Sequence, residues 1–445
     1  MTPRLETIRE CFDGVIPGII STCDGEGTPN LALLSQVQFI DNEHVALSYQ
    51  FFNKTRQNLL DGSPVRLLLN SYLTGAEYLL KLTYLRTETA GPLFEQMKAK
   101  LAGIASHEGM SGVFRLRGSD VYRVDGIEQM AGPTLPPPVP PINYLTALRR
   151  ATERLSGCPN LECLLESALD AVTRDFGIGQ VMLLMLDEAR GCLYTLASRG
   201  YPESGVGSEI PVGAGVIGIA ARERTPIRIG FMTTEYSYGR TIREQIAEDG
   251  QGDTLETLIP LPGLPAARSQ LAVPIGGPGR LLGVLYVESV NDLHFGYDDE
   301  DALVAFAGQL GLAMAHHQQS EEAPDEGDDG EVRSVPPEGP PVAVRYFAAN
   351  DSVFIDDDYL IKGVAGAILW AVLSDYAARG RTGFTNKGLR VDSRVRLPGV
   401  SDNLEARLVL LQRRLVERDA GIRIDKVGRG RYALQVTRPL HLVAG

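Results

Sequence analysis

Hydrophobic and polar residues alternate with a period of two over much of the first 130 residues. Alternation of this kind, interrupted by Gly, Asp and Asn, predicts short antiparallel strands. The predicted strands are Gly18–Cys23, Asn30–Ile40, His44–Tyr49, Val65–Asn70 and Val113–Val124. Two short stretches, Leu5–Cys11 and Leu93–Leu101, have helical spacing instead. Many short strands with few helices favour an antiparallel β-barrel for this segment.

Residues 142–319 have a mixed pattern, in which amphipathic helices flank apolar strands. Apolar residues recur every three or four positions in Asn143–Leu155 and Leu161–Asp175, which predicts two helices. A last helix is predicted over Ala302–His317. Short apolar runs predict buried strands at Val181–Leu186, Ile227–Ile229, Ser269–Pro274 and Gly283–Ser289. Helices packed on such a sheet form an α/β sandwich.

The last hundred residues begin with strands, continue with helices and end with a hairpin. A strand at Ser352–Ile355 is expected to pair with Leu360 and Ile361. Three helices follow, at Val364–Ala378, Thr385–Arg390 and Asn403–Arg418. The hairpin strands are Ile422–Val427 and Arg431–Val436, joined through Gly428-Arg429-Gly430.

Two segments between these patterns are expected to be linkers. Residues 131–141 are rich in proline, which cannot donate to a strand ladder or continue a helix. Residues 320–341 carry eight acidic residues and few apolar ones, so we expect disorder there. The chain is therefore predicted to be a multidomain α+β protein with domains at 1–130, 142–319 and 342–445.

The charge is unevenly distributed along the 445 residues. Residues 341–445 hold 17 Lys and Arg against 11 Asp and Glu, a net charge of +6, whereas the whole chain carries −13. A basic end on an acidic body suggests that this end binds a polyanion. No apolar run is long enough to cross a membrane and the N-terminus does not resemble a secretory signal, so we expect a cytoplasmic protein. Five cysteines without a CxxC pair and six histidines predict neither a metal site nor a disulfide framework.

One turn of the first domain concentrates groups that bind phosphate. Where the third predicted strand ends and a helix begins, Lys54, Thr55, Arg56 and Asn58 stand close together. Backbone N–H groups at a helix start, with basic side chains beside them, suit a phosphate monoester. The segment resembles the flavin-binding split barrel of the pyridoxamine 5′-phosphate oxidase superfamily over roughly residues 10–125. The resemblance implies that these four residues hold the phosphate of FMN. It also implies that Ser35, Gln36 and Val37 line the isoalloxazine edge.

The resemblance to pyridoxamine 5′-phosphate oxidases does not extend to the residues that carry their activity. The arginine-rich segment with which pyridoxamine-phosphate oxidases close their substrate site is missing after Tyr122. We therefore expect no biosynthetic oxidase activity and name no catalytic residue.

The middle domain carries four motifs in the order typical of one sensor family. They are G-x-G-V-x-G, A-V-P-I, L-G-V-L-x-V-E-S and F-x-x-x-D, at 213–218, 272–275, 282–289 and 295–299. The domain resembles a GAF domain over its whole length. The identity of its ligand stays open. A covalently bound bilin is not expected, because Cys158, Cys163 and Cys192 lack the histidine neighbour of a bilin site. We interpret these cysteines as small buried hydrophobes. An insertion at 230–268 offers Tyr236, Tyr238, Arg240 and Arg268 as ligand contacts. The alternative is a spacer that only dimerises.

The strand–helix–hairpin order of the last domain resembles the winged helix of OmpR-type response regulators. The resemblance implies that the third helix enters the major groove of DNA and that the hairpin contacts the backbone. The implied DNA contacts are Asn403, Arg407, Arg413, Arg414, Arg429 and Arg431. Winged helices also serve as protein-interaction modules, and that alternative stays open.

Together these predictions describe a one-component transcriptional regulator that senses a small-molecule ligand or redox state and binds DNA. We expect a homodimer whose DNA site has two half-sites. One alternative is an FMN-dependent oxidoreductase with regulatory GAF and winged-helix domains. A further alternative is a set of three interaction modules without a small ligand.

Overall fold

The computed structural model describes residues 3–50, 54–107, 116–232, 259–322, 337–395, 397 and 403–445. Over these residues the protein is mixed α/β and multidomain, and the described strands form four sheets. None of the helices in the described part of the chain is both long and apolar enough to cross a membrane.

A seven-stranded antiparallel sheet organises the N-terminal domain. Its strands are β1 (Gly18–Cys23), β2 (Pro29–Leu34), β3 (Val37–Phe39), β4 (His44–Tyr49), β5 (Val65–Asn70), β6 (Glu77–Glu88) and β7 (Gly118–Gln129). They lie in the order β2-β1-β5-β6-β7-β4-β3. The edge strands β2 and β3 are joined by Ser35 and Gln36 alone, so the sheet has to curl until its two edges approach each other. The result is a half-barrel.

Three helical segments accompany this sheet: a 3-10 helix at Leu5–Phe12, α1 (Lys54–Leu60) and α2 (Pro92–His107). Leu5, Phe12 and Tyr122 are fully buried in the barrel core. The predicted strand Asn30–Ile40 is in fact two strands, because the chain bends at Ser35 to pass from one sheet edge to the other.

The central domain contains a six-stranded antiparallel sheet in the order β10-β9-β8-β13-β12-β11. The strands are β8 (Gln180–Asp187), β9 (Cys192–Arg199), β10 (Glu209–Pro211), β11 (Ile227–Ile229), β12 (Ser269–Gly277) and β13 (Arg280–Ser289). The helices are α3 (Tyr144–Ser156), α4 (Leu161–Asp170), which continues into a π-helical turn (Ala171–Asp175), α5 (Gly215–Glu223) and α6 (Tyr297–Glu322).

Alternation along β8 builds two hydrophobic layers on this sheet. Leu183 and Met185 face the cluster formed with α3, α4 and α6. Met182 and Leu184 face the cluster formed with α5. Successive residues of a strand point to opposite faces, so one apolar strand serves both layers. The predicted sandwich is confirmed.

The C-terminal domain has two smaller sheets around three helices. The strands are β14 (Val342–Phe347), β15 (Ser352–Ile355), β16 (Asp358–Ile361), β17 (Gly383–Thr385), β18 (Ile422–Gly428), β19 (Arg431–Val436) and β20 (Leu440–Ala444). The helices are α7 (Gly363–Arg379), α8 (Asn386–Val391) and α9 (Leu404–Arg418). Thr385 caps α8 and Asn403 caps α9, each accepting a backbone N–H bond three residues on.

The central and C-terminal domains share one continuous hydrophobic cluster, which contains residues of both α4 and α9. Of the two predicted linkers, residues 131–141 are exposed and form neither helix nor strand. Most of the acidic linker lies outside the described residues, and α6 continues through its first three residues to Glu322.

Candidate functional site

The turn between β4 and α1 is where the sequence predicts phosphate binding. Residues 51–53 of this turn lie outside the described part of the chain. Lys54 Nζ lies 3.2 Å from Asp24 Oδ2. Arg56 donates from Nη1 to both carboxylate oxygens of Asp120, at 2.9 and 2.8 Å, and its guanidinium lies 3.9 Å from the ring centre of Tyr49. Both basic side chains are therefore paired with carboxylates of their own domain.

The two neutral members of the predicted phosphate set hold the fold together. Thr55 is buried and accepts a hydrogen bond from Asn30 Nδ2 at 2.8 Å. Asn58 is 1% exposed and donates to Thr22 Oγ1 at 3.0 Å. These bonds attach α1 to β1 and β2, so neither group is directed at a phosphate.

Together with Asp24 and Asp120, the four predicted residues carry no net charge. A phosphate monoester needs an excess of positive charge or of unpaired N–H donors. In the arrangement described here both cations are already paired with carboxylates, and the phosphate contact stays a prediction.

The residues predicted at the flavin ring separate into three environments. Gln36 is 1% exposed, and neither its Oε1 nor its Nε2 has a hydrogen-bond partner. A buried amide without partners is costly, and it suits a ligand edge that offers both a donor and an acceptor. Ser35 is half-buried in the preceding bend. The side chain of Val37 packs into the barrel core, and its contact with the ring edge stays a prediction.

The predicted ligand contacts of the central domain are mostly not described. Tyr236, Tyr238 and Arg240 fall within residues 233–258, outside the described residues. Arg268 is exposed and its Nη1 lies 3.2 Å from Asp292 Oδ2, and its contact with a ligand stays a prediction. In the described part of the chain, no group of three or more His, Cys, Asp or Glu side chains is placed to hold a metal ion.

A buried carboxyl group in the same domain was missed by the sequence analysis. Glu288, at the end of β13, is 2% exposed. Its Oε1 accepts the Leu264 N–H at 2.7 Å, and its Oε2 accepts the Tyr286 hydroxyl at 3.1 Å. Burial raises the pKa of Glu288, and burial together with this carboxylate raises the pKa of Tyr201. In the sequence, this site is marked by an acidic residue, Glu288, near the end of the otherwise apolar strand Gly283–Ser289.

The arginines of α9 that the resemblance assigns to DNA contact other groups of this chain. Arg407 is 4% exposed, and its Nη2 lies 2.8 Å from Oδ2 of Asp187, itself 1% exposed. The guanidinium lies 4.5 Å from the ring centre of Tyr194. Asp187 and Tyr194 belong to β8 and β9, so the central domain covers this part of α9.

Two neighbouring arginines are held in the same way. Arg413 Nη2 donates to Glu166 Oε1 of α4 at 2.7 Å. Arg414 donates from Nε to the Leu360 carbonyl at 3.0 Å and from Nη1 to Glu417 at 2.7 Å. Acidic and carbonyl groups of neighbouring elements thus surround Arg407, Arg413 and Arg414, and their contact with DNA stays a prediction.

The remaining predicted DNA contacts differ from these three. Asn403 is the N-terminal cap of α9, and its Oδ1 accepts a hydrogen bond from the Ala406 N–H at 3.0 Å. Arg429 at the hairpin tip is exposed, and Arg431 is half-buried. Lys426, on the same hairpin, bonds to Glu405 at 2.7 Å. Of the predicted set, the hairpin tip reaches solvent most fully.

Comparison with known families settles the nature of the central domain. Residues 160–314 match the family described as GAF domain. The central domain is a GAF domain. The resemblance drawn from its four sequence motifs is confirmed over these residues, and GAF domains are a sensory family. No curated protein sequence matches the chain.

Solved structures similar to parts of the chain include three from different proteins. The GAF domain of a phosphoenolpyruvate-protein phosphotransferase from Coxiella burnetii is 20% identical, with 40% of this chain and 95% of that chain covered and a TM-score of 0.30. An FMN-binding protein from Syntrophomonas wolfei subsp. wolfei is 16% identical, with 29% and 86% covered and a TM-score of 0.25. HupZ of Group A Streptococcus is 17% identical, with 29% and 98% covered and a TM-score of 0.23.

Proposed function

We propose that the chain is a ligand-responsive regulatory protein in which the GAF domain controls a C-terminal DNA-binding domain. The element order of the C-terminal domain supports this proposal. Three strands, a helix, a short strand, two helices and a hairpin succeed one another from Val342 to Val436. This is the order of a winged helix, in which the last helix and the hairpin contact DNA. The net charge of +6 over residues 341–445 agrees with a polyanion as partner.

The observation that carries the proposal is the pairing of α9 with acids of the GAF domain. Asp187 and Glu166 occupy the guanidinium groups of Arg407 and Arg413, where phosphate oxygens would bind. Carboxylates and phosphates compete for the same guanidinium geometry. With α9 held in this way the helix cannot lie in a groove, so the GAF domain acts as an inhibitor that a ligand relieves.

A DNA-binding assay on the full chain tests this arrangement. We would measure fluorescence anisotropy of a labelled random-sequence duplex at low salt, with Glu166→Gln and the wild type compared. The Glu166–Arg413 pair is partly exposed, and weakening it by ~1 kcal/mol should tighten DNA binding about fivefold. Equal or weaker binding by the variant would overturn the inhibitory role.

The hairpin tip supplies the second arm of this experiment. Arg429→Ala with Arg431→Ala should lower the slope of log affinity against log salt by roughly 1.8, since each phosphate contact contributes about 0.9. The matched control is Arg423→Ala, an exposed arginine on the same hairpin away from its tip. If the control lowers the slope as much, the tip is not the DNA contact.

For the N-terminal half-barrel we propose a flavin-type ligand, bound through its ring rather than its phosphate. The buried, unpartnered amide of Gln36 supports the ring contact. The pairing of Lys54 with Asp24 and of Arg56 with Asp120 weighs against a phosphate contact. When bound, a flavin would supply one- or two-electron redox chemistry.

Titration with FMN and with riboflavin separates the two halves of this ligand. Riboflavin lacks the phosphate, so we expect the two to bind with dissociation constants within about threefold of each other, as measured by quenching of flavin fluorescence. Gln36→Leu should abolish binding of both. An FMN affinity more than about tenfold higher than that of riboflavin would restore the phosphate site. Binding of neither would remove the flavin from the proposal.

A further inference from the structure

Two thiols meet at the turn between α3 and α4. Cys158 lies in this turn, and Cys163 lies in the first turn of α4. Their Sγ atoms are 3.0 Å apart. A disulfide requires about 2.05 Å, so the two sulfurs need to approach by only about 1 Å. Cys158 belongs to the hydrophobic cluster and Cys163 packs against it, as the sequence analysis expects, but the two sulfurs also contact each other.

Neighbouring polar groups fix the positions of the two sulfurs. Asn160 caps α4, and its Oδ1 accepts the backbone N–H of Cys163 at 2.9 Å. Cys158 Sγ lies 3.1 Å from Ser167 Oγ, one helical turn beyond Cys163. Cys158 is 7% exposed, whereas Cys163 is half-buried. Cys163 is therefore the sulfur that a small oxidant reaches first.

We propose that Cys158 and Cys163 are a redox-active pair that forms a reversible disulfide with hydrogen peroxide as oxidant. The Cys163 sulfur attacks one peroxide oxygen, the O–O bond breaks, and a sulfenic acid forms while one water leaves. The Cys158 sulfur then attacks the sulfenic sulfur, the S–S bond forms, and the second water leaves with the Cys158 proton. Two thiols lose two electrons, and one peroxide becomes two waters.

The acid–base state of Cys158 agrees with this order of events. Burial and the neighbouring Cys163 raise the pKa of Cys158 to about 11. At neutral pH Cys158 therefore stays a thiol and acts as the resolving group rather than as the first nucleophile.

The turn that carries Cys158 borders the C-terminal domain. Pro159 and Asn160 line one wall of a cleft of about 640 Å³, with His316 and His317 of α6. Residues 426–429 of the hairpin line the other wall. Closing the disulfide therefore changes a turn that forms one wall of the cleft whose other wall is the hairpin.

The α4 helix supplies a second connection to the C-terminal domain. Glu166, three residues after Cys163, holds Arg413 of α9 at 2.7 Å. A shift of the first turn of α4 is transmitted to this ion pair through the rigid helix. The consequence for DNA binding rests on the proposed function, whereas the disulfide itself does not.

One tryptic peptide reports the disulfide directly. Cleavage after Arg154 and Arg174 places both cysteines in the peptide 155–174. We would treat the full chain with hydrogen peroxide, label remaining thiols with N-ethylmaleimide, digest it and measure masses. The expected product is two hydrogens lighter, carries no label, and regains two labels after dithiothreitol. A peptide that still carries two labels, or one oxidised to sulfinic acid, would overturn the proposal.

Variants separate the pair from the other cysteines. Cys163→Ser should leave peptide 155–174 with one label after peroxide. Cys192→Ser, which removes a buried cysteine of β9, should form the disulfide as the wild type does. Loss of the disulfide in Cys192→Ser would show that a different cysteine takes part, which contradicts the proposal.

Hydrogen exchange tests the coupling without DNA. Oxidised and reduced chains would be compared over residues 422–436, with Cys163→Ser as the control that cannot close the bond. We expect exchange in this hairpin to change at least twofold on oxidation of the wild type and to stay constant in the variant. A disulfide that leaves hairpin exchange unchanged would disprove the coupling, whether or not the chain binds DNA.

Discussion

At the scale of single residues, Arg56 and Lys54 look alike in the sequence but have different neighbours in the fold. Arg56 Nη1 donates to both carboxylate oxygens of Asp120, which is 5% exposed, whereas the Lys54–Asp24 pair is more open to solvent. Removing one partner of a buried pair strands the other charge and costs about 3 kcal/mol, whereas a pair that water surrounds contributes little.

We therefore predict that Arg56→Ala clearly lowers the thermal midpoint of the full chain and that Lys54→Ala leaves it nearly unchanged. Scanning calorimetry at neutral pH measures both. Arg56→Lys serves as the control, since it keeps the charge but loses the Nη2 group that donates to Thr87 Oγ1, and its midpoint should fall between those of the two alanine variants. Equal midpoints for the two alanine variants would show that Asp120 does not depend on Arg56.

Lys100 gives the pH-dependent prediction at this scale. Lys100 is buried on α2, and its Nζ donates a hydrogen bond to the Phe12 carbonyl. Burial, and to a smaller extent the positive charge of the nearby Arg228, lowers the pKa of Lys100 to about 7. The unfolded chain holds this proton up to about pH 10.5, so between pH 7 and 10 the unfolded state binds more protons than the folded one.

Stability of the wild type should therefore rise with pH in that window relative to Lys100→Met, which has no proton to lose. Below pH 7 Lys100 is charged in both the folded and the unfolded chain, so the difference in unfolding free energy between the wild type and Lys100→Met should be constant there. Urea denaturation at pH 6, 7, 8 and 9 checks this. A difference that stays constant across all four would mean that Lys100 is charged in the folded protein throughout.

At the scale of elements, the local sequence pattern was sufficient to predict where helices begin and end. The sequence pattern placed the ends of α8 and α9 to within a residue or two of those in the structure. The resemblance to a winged helix also implied that Arg407 and Arg413 of α9 contact DNA. In the fold these two arginines pair with Asp187 and Glu166, more than 200 residues earlier in the chain, and nothing in the sequence of α9 encodes them.

The same limit explains the strands that the sequence analysis missed. In β6 the apolar residues are interrupted by Lys, Thr and Arg, because much of this strand is exposed or half-buried. β6 is a strand because it pairs with β5 and β7 in the sheet, and it has no continuous hydrophobic face that a sequence pattern would reveal. The antiparallel barrel was predicted because turn residues mark most of its other strands.

The Arg407–Asp187 pair gives a prediction at the scale of elements, because it joins α9 to β8. Arg407→Leu or Asp187→Leu alone should each cost about 3 kcal/mol of stability, since the remaining charge stays buried. The double variant should cost clearly less than the sum of the two, because no charge is then left alone. Denaturation of all three variants measures this coupling, and additive costs would contradict the buried pair.

At the scale of the whole molecule, the N-terminal domain is fixed to the GAF domain through Arg228 of β11. Arg228 is buried, donates to Asp13 at 2.9 Å and to Glu300 at 2.8 Å, and lies 4.1 Å from the ring centre of Tyr297. The GAF domain thus contacts both its neighbours through buried arginines, Arg228 on one side and Arg407 on the other. A change inside it can reach either domain.

The edge strand β2 leads to the prediction about assembly. Leu31 and Leu33 point outward from it and are 71% and 73% exposed. An open sheet edge with exposed leucines is a surface that a second chain readily covers, and we expect the protein to be a homodimer that pairs there. Multi-angle light scattering should give twice the chain mass of 48.2 kDa, and Leu31→Lys with Leu33→Lys should give the monomer.

The GAF helices offer a different dimer, and a matched variant tells the two apart. Leu145 of α3 and Leu312 of α6 are also exposed, at 81% and 55%. Leu145→Lys with Leu312→Lys should leave the dimer intact if β2 forms the interface. A monomer from the helix variant alone would move the interface to the GAF domain. In either dimer each copy brings its own C-terminal domain, and a two-fold axis then requires a DNA site with two half-sites, so halving the site should weaken binding.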